Sequence, residues 1–258
     1  MSKIFIIKTG LTDYIEGNLN FITNGDSMFN YCSNLASFNY DLSSLTNGTK
    51  MFNYCSNLAS FNGDLSSLTD GSKMFNYCSN LISFNSDMSS LTNGSNMFYY
   101  CSKITSFNSD LSSLTGGDSM FYYCSNLTSF NSDLSSLTNG TNMFRECTNL
   151  TTFNSDLSSL TNGYNMFYNC SKLTSFNGDL SSLTNGKYMF GSSTSICTKL
   201  DVVSVQNIAT TINDLAAQGK TGSISIGIDK SIQSNTDLEA ALATIRSKGW
   251  TVTEMYKS

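Results

Sequence analysis

The chain has 258 residues, 40% hydrophobic and only 13% charged, with 14 Lys and Arg against 19 Asp and Glu for a net charge of −5. So few cations, scattered along the sequence, do not make the clustered basic surface that phosphate binding needs, and nucleic acid is not an expected partner. Histidine, the commonest general base and metal ligand, is absent; no catalytic residue, metal site or cofactor is expected.

In chain order, residues 1–8 hold an apolar run of four, Ile4-Phe5-Ile6-Ile7, too short for a signal-peptide core or a membrane span. The expectation is therefore no signal peptide and no membrane insertion. Residues 3–8 are predicted to form an extra strand over the open end of a repeat array. From Ile15 the sequence already keeps the register of the repeats, with Ile15 and Leu19 in the slots later held by Phe and Leu.

Met-Phe then recurs every 23 residues at Met28, Met51, Met74, Met97, Met120, Met143, Met166 and Met189, without insertion or deletion. A fixed period of this length marks a solenoid, in which each coil buries its apolar side chains by stacking on its neighbours. One unit runs from Cys124 to Glu146, and its core positions are the Cys, the Leu three later, the Phe six later, two Leu ten and thirteen later, and the Met-Phe pair. The segment Leu127-Thr128-Ser129-Phe130-Asn131-Ser132 is predicted to be a half-buried parallel strand, with coils about 4.8 Å apart and each Phe over the next. The Asn-Gly pairs at Asn24, Asn47, Asn93, Asn139, Asn162 and Asn185, replaced by Asp70-Gly71 and Gly116-Gly117, are read as turns with positive φ.

After Phe190 the register slips by four residues, and Cys197-Thr198-Lys199-Leu200 restarts the pattern with Val203 in the Phe slot. Ser204 is predicted to cap a helix with an apolar face of Val205, Ile208, Ala209, Ile212, Leu215 and Ala216, ending at Gly219. Residues 223–228 alternate as a strand, Asn235 or Thr236 opens a second helix over 237–248, and 250–253 form the last strand. The expected organisation is an N-terminal cap strand and partial repeat (1–27), seven 23-residue repeats (28–190) and a C-terminal α/β cap (191–258).

Four columns are candidates for function. The cysteines Cys32, Cys55, Cys78, Cys101, Cys124, Cys147 and Cys170, with Cys197 beyond the slip, lack any Cys-x-x-Cys spacing and are read as buried free thiols rather than metal ligands or disulfides. Asp41, Asp64, Asp87, Asp110, Asp133, Asp156 and Asp179 are read as a solvated column accepting backbone N–H bonds at the Leu-Ser-Ser turn, with a calcium column as the alternative. Asn39, Asn62, Asn85, Asn108, Asn131, Asn154 and Asn177 are read as an amide ladder, with ligand contact as the alternative. The pair before each cysteine varies from coil to coil, so the core does not dictate it. There Tyr54, Tyr77, Tyr99, Tyr100, Tyr122 and Tyr123 form one aromatic stripe, read either as ladder stacking or as a partner-binding surface.

In this register Cys-x-x-Leu-x-x-Phe, the downstream Leu pair, the Gly and Met-Phe-x-x-Cys resemble the BspA-type leucine-rich repeats over about residues 11–203. Asn-Ser-Asp-Leu stands where that family commonly has a Leu-Pro step, which leaves the path of that side of the coil open. The resemblance implies a leucine-rich-repeat solenoid of stacked parallel β coils with a C-terminal α/β cap. Such repeats occur mainly on surface proteins of bacteria and some protists, with related arrays in phage proteins, and serve adhesion or protein binding. Residues 248–253, Lys-Gly-Trp-Thr-Val-Thr, are similar to the closing strand of such arrays in gut bacterial and phage proteins. The implied function is non-enzymatic recognition or structure by contact with a protein or glycan surface, with homo- or hetero-oligomeric assembly open. Without a secretion signal, the favoured setting is a phage virion component (fibre, tail or capsid-associated), cytoplasmic before lysis, whose cysteines stay reduced; the alternative is a cell-surface adhesin.

Overall fold

The computed structural model describes residues 5–8, 13–16, 18–191 and 198–257. Isolated parallel bridges run Asn24↔Asn47↔Asp70↔Asn93↔Gly116↔Asn139↔Asn162↔Asn185, so successive repeats lie side by side in register. The strand Phe residues sit in short parallel pairs: β3 (Ser37–Phe38) with β4 (Ser60–Phe61), β5 (Ser106–Phe107) with β6 (Ser129–Phe130), and β7 (Thr152–Phe153) with β8 (Ser175–Phe176).

These strands are two residues long, not the six predicted, and Ser83-Phe84 is in none. Most inter-coil pairing falls instead on the segment from Gly25 to Tyr31 and its copies. The amides of Gly25, Ser27, Phe29 and Tyr31 donate to Asn47, Thr49, Met51 and Asn53 of the next coil at 2.8–2.9 Å. The intervening amides of Met28, Asn30 and Cys32 close turns onto Gly25, Ser27 and Phe29, and that of Asp26 donates to the Asn24 side chain. Every N–H from Gly25 to Cys32 thus has an acceptor, as a buried backbone requires.

This alternation requires left-handed residues, and they are not the glycines. Positive φ falls at Ser27, Lys50, Lys73, Asn96, Ser119, Asn142, Asn165 and Tyr188, and at Tyr31, Tyr54, Tyr77, Tyr100, Tyr123, Glu146 and Asn169. The glycine of each Asn-Gly pair has another role. A Cβ on Gly48 would lie 2.8 Å from the Met74 sulfur and 3.2 Å from Leu68 Cδ1, and the same holds at Gly71 and Gly94. The predicted positive-φ turn is therefore corrected: up to Gly163 glycine is there because the next coil's methionine occupies the space, and at Gly186 Ile224 takes that place.

Inside, Phe29, Phe52, Phe75, Phe98, Phe121, Phe144, Phe167 and Phe190 stack face to face at 5.2–5.6 Å. The strand Phe residues from Phe38 to Phe176 make a second stack at 5.4–6.0 Å. The two stacks meet edge to face, as at Phe38–Phe52, 4.7 Å and 70°, an arrangement the ring quadrupoles favour. All seven described cysteines are buried, and none is in a disulfide. From Cys55 to Cys170 each thiol donates to the carbonyl of the preceding coil's Met-Phe phenylalanine at 3.0–3.2 Å. Burial pushes the Cys78, Cys101 and Cys147 thiols well up from their ordinary value, so they stay protonated. Cys197 lies outside the described residues.

The ends depart from the expected register. β1 (Phe5–Lys8) pairs antiparallel with β2 (Asp13–Glu16), placing Ile15 opposite Ile6 instead of in a parallel Phe slot. Leu19 and Ile22 do occupy the Leu slots and are buried. After Leu200 the chain enters α1 (Val202–Thr211), capped by Asp201, whose carboxylate accepts from the Ser204 amide. The predicted cap, Ser204, is buried inside the helix and accepts from the Phe176 amide at 2.8 Å. Val203 is 65% exposed, so it fills no Phe slot. The helix stops at Thr211, and a separate turn of 3-10 helix, Ala216–Gln218, reaches Gly219 with φ 65°. β9 (Gly222–Asp229) lies along the last coil, with Gly186 bridged to Ile224 and Leu200 to Ile228. Asn235 caps α2 (Thr236–Ser247), and β10 runs over Trp250–Lys257, four residues longer than predicted, parallel to β9.

Candidate partner-binding surface

The variable pair before each cysteine builds two adjoining columns. In the first, Tyr31, Tyr54, Tyr77, Tyr100 and Tyr123 stack with centroids 4.4–4.9 Å apart and planes within 10°. In the second, Tyr99 lies on Tyr122 at 4.8 Å, and the Arg145 guanidinium sits between Tyr122 and Tyr168 at 5.4 and 4.6 Å. Tyr77, Tyr99 and Tyr100 touch across the columns at 5.1–5.6 Å. All six sequence candidates therefore share one strip. Tyr31, Tyr168 and Arg145 belong to it as well. The 23-residue offset from Tyr54 pointed to Tyr31; nothing in the sequence says that a guanidinium takes a ring's place in the stack.

Tyr31 and Tyr54 are exposed, at 62% and 38%, and stacking half-buries the others. Ring faces cover one another, which leaves the ring edges uncovered, and the Tyr54 and Tyr100 hydroxyls bond along the column to Tyr77 and Tyr123. Burial and neighbouring phenols push Tyr100 up to about 12, and burial first of all raises Tyr54, Tyr99 and Tyr122. The hydroxyls of these four are thus protonated at neutral pH. Two buried polar atoms in the second column lack a hydrogen-bond partner, Asn76 Oδ1 and Arg145 Nε.

The first column's tyrosines all have φ between 59° and 62°. A left-handed backbone disfavours such a residue by about 1 kcal/mol, whereas Asn tolerates it. Asn169 occupies the same position at φ 60°, so the coil itself does not require tyrosine.

The Asp column is as the solvated reading described it. Each Oδ1 from Asp41 to Asp179 accepts the amide of the Ser two residues later at 2.8–2.9 Å. Hydrogen bonds from Ser43 and Ser112 lower Asp41 and Asp110 from their ordinary value. This contribution to stability is present above the unfolded-state pKa and is lost as pH falls through the lowered one. Beside the column lie shallow grooves, one of about 500 Å³ lined by Asn131, Asp133, Ser135, Asn154 and Asp156 among others. Among the described residues no group of three or more His, Cys, Asp or Glu is placed to hold a metal ion. The Asn column beside it is exposed, with one rung, Asn131 to Asn108 at 3.4 Å. The closer amide rungs are elsewhere, such as Asn53 to Asn30 and Asn185 to Asn162. No helix among the described residues is long and apolar enough to cross a membrane.

A family profile described as a BspA type leucine rich repeat region matches the chain in six copies, over residues 8–128, 69–197 and 115–237. No curated protein sequence matches. Among solved structures the fold is similar to a leucine-rich repeat protein from Bacteroides ovatus ATCC 8483, with TM-score 0.50 and 16% identity, covering 99% of this chain and 75% of that one. A leucine rich cell surface protein from Faecalibacterium prausnitzii A2-165 aligns with TM-score 0.33 and 15% identity, covering 98% of this chain and 86% of that one.

Proposed function

Since the chain belongs to the BspA type leucine rich repeat family, we propose that it is a non-enzymatic recognition or structural protein that makes attachment or assembly contacts through its tyrosine strip. On this reading the stack is a solenoid, residues 191–258 are its C-terminal cap, and the partner is a protein or glycan surface. The setting we favour is a phage virion component; a cell-surface adhesin is the second setting.

One observation carries the reading. Five tyrosines in successive coils hold a left-handed backbone that Asn169 fills with less strain, next to a column in which Arg145 stacks on tyrosine. Tyr and Arg are the side chains that concentrate at the centres of interfaces, and residues held in disfavoured backbone regions cluster at functional sites.

The test replaces Tyr99 and Tyr122 with Ser, and Tyr100 and Tyr123 with Asn, which suits the left-handed backbone. Adsorption of labelled protein to intact bacterial cells and concentration-dependent association are then measured beside the melting temperature. We expect adsorption or association to fall by about tenfold or more with the fold retained. A variant that melts several degrees lower yet adsorbs and associates like the parent would show that the strip is scaffold.

A further inference from the structure

We infer that the tyrosine strip of one molecule docks on the Asp column of a second copy of the same chain. This rests on reading the strip as a contact surface and names its occupant.

Three observations converge. First, with their faces covered, the tyrosines present ring edges, the positive part of the quadrupole, and, in the second column, the hydroxyl donors of Tyr99 and Tyr122. Lys50 and Lys73 are exposed in the same segments, four residues before Tyr54 and Tyr77, and Arg145 lies within the strip beside Glu146, whose carboxylate is already engaged by the Asn169 amide. The surface therefore suits a partner made of acceptors and negative charge.

Second, the chain carries such a partner. The carboxylates from Asp41 to Asp179, one per coil, are each anchored through Oδ1 by a Ser amide, which fixes their direction and leaves acceptor capacity at the second oxygen. Among the described residues the one ion pair, Arg246–Glu254, lies outside this column. A row of unpaired like charges gains when donors and cations approach it.

Third, both columns belong to the same coils and share their pitch. Rings stack at 4.4–4.9 Å in the first tyrosine column, and one Asp occurs per coil. A second copy meets the strip rung for rung over several coils, which an unrelated acidic surface does not. Because the two faces differ, the contact is heterologous and each docked copy leaves one face of each kind open, so association continues past a dimer.

Sedimentation velocity over a concentration series tests this with two conservative variants. Replacing Tyr77, Tyr99, Tyr100, Tyr122 and Tyr123 with Phe keeps the ring stack and removes the hydroxyls. Replacing Asp87, Asp110, Asp133 and Asp156 with Asn keeps an oxygen for each Ser amide and removes the charge. The expected result is that the parent chain grows beyond dimers, less so at high salt, and that each variant alone associates at least about tenfold more weakly. An equimolar mixture of the two variants, each with one intact face, should stop at one-to-one dimers. A parent chain that stays monomeric throughout overturns the inference, and cell adsorption then judges the strip independently. Association lost in the Phe variant but kept in the Asn variant overturns the Asp column as occupant while leaving the strip a contact surface. Parent-like association of both variants overturns the inference and strip-mediated self-assembly with it.

Discussion

At the residue scale, this chain separates two reasons for keeping a small residue in every copy of a repeat. Backbone freedom predicts positive φ at glycine, yet here the left-handed positions hold Ser, Lys, Asn, Tyr and Glu, while glycine stands where a methionine arrives from the next coil. Gly71→Ala places a methyl 2.8 Å from the Met97 sulfur and 3.2 Å from Leu91 Cδ1. It should destabilise by about 1–3 kcal/mol, the usual range for overpacking. Gly116→Ala meets nothing nearer than Asn93 Oδ1 at 3.8 Å. It should be neutral or stabilising by about 0.4–1 kcal/mol, through the unfolded chain. Paired denaturant melts check the contrast, and equal effects at the two positions would refute the packing account.

At the element scale, the unit is a run of turns whose amides point alternately into their own coil and toward the next. The side chain before each of these glycines completes it: Asn24, Asn47, Asp70, Asn93, Asn139, Asn162 and Asn185 each accept the amide two residues on at 2.9–3.2 Å. At Gly116 there is no side chain to receive the Asp118 amide, and the amide ladder is interrupted between Asn93 and Asn139. Gly116→Asn should restore both and raise stability by about 1 kcal/mol, or about 2–4 °C in a thermal melt for a chain of this size. A melting temperature at or below that of the parent would show that this bond is not what the position is for.

At the scale of the whole molecule, the coils are interchangeable because each contacts its neighbours through the same bonds at an offset of 23 residues. Stability in such an array is close to a sum over coils and their interfaces. Removal of residues 97–119, one full period, joins Asn96 to Met120 in register. The product should still unfold cooperatively, at a lower melting temperature. A deletion of half that length sets every inward side chain out of phase and should abolish cooperative unfolding. Circular dichroism melts decide it, and cooperative unfolding of the half-period deletion would contradict a register-dependent core.

The sequence by itself determined the repeat, its phase, the buried set of Cys, Leu, Met and Phe, the family and the gathering of the tyrosines, because a strict period places identical side chains over one another whatever the local backbone does. Only the tertiary structure decided the path within a coil. Ser27 and Tyr31 turn left-handed because bonds to the next coil fix them there, and no intrinsic preference of Ser or Tyr announces it. It also decided the ends, where a coil meets something other than its copy. Ile15 pairs antiparallel, Asp201 displaces Ser204 as the helix cap, and Ser204 turns inward to hold the Phe176 amide. The Arg145 stack belongs to the same class, since whether a guanidinium points to solvent or lies between two rings depends on the coils above and below it.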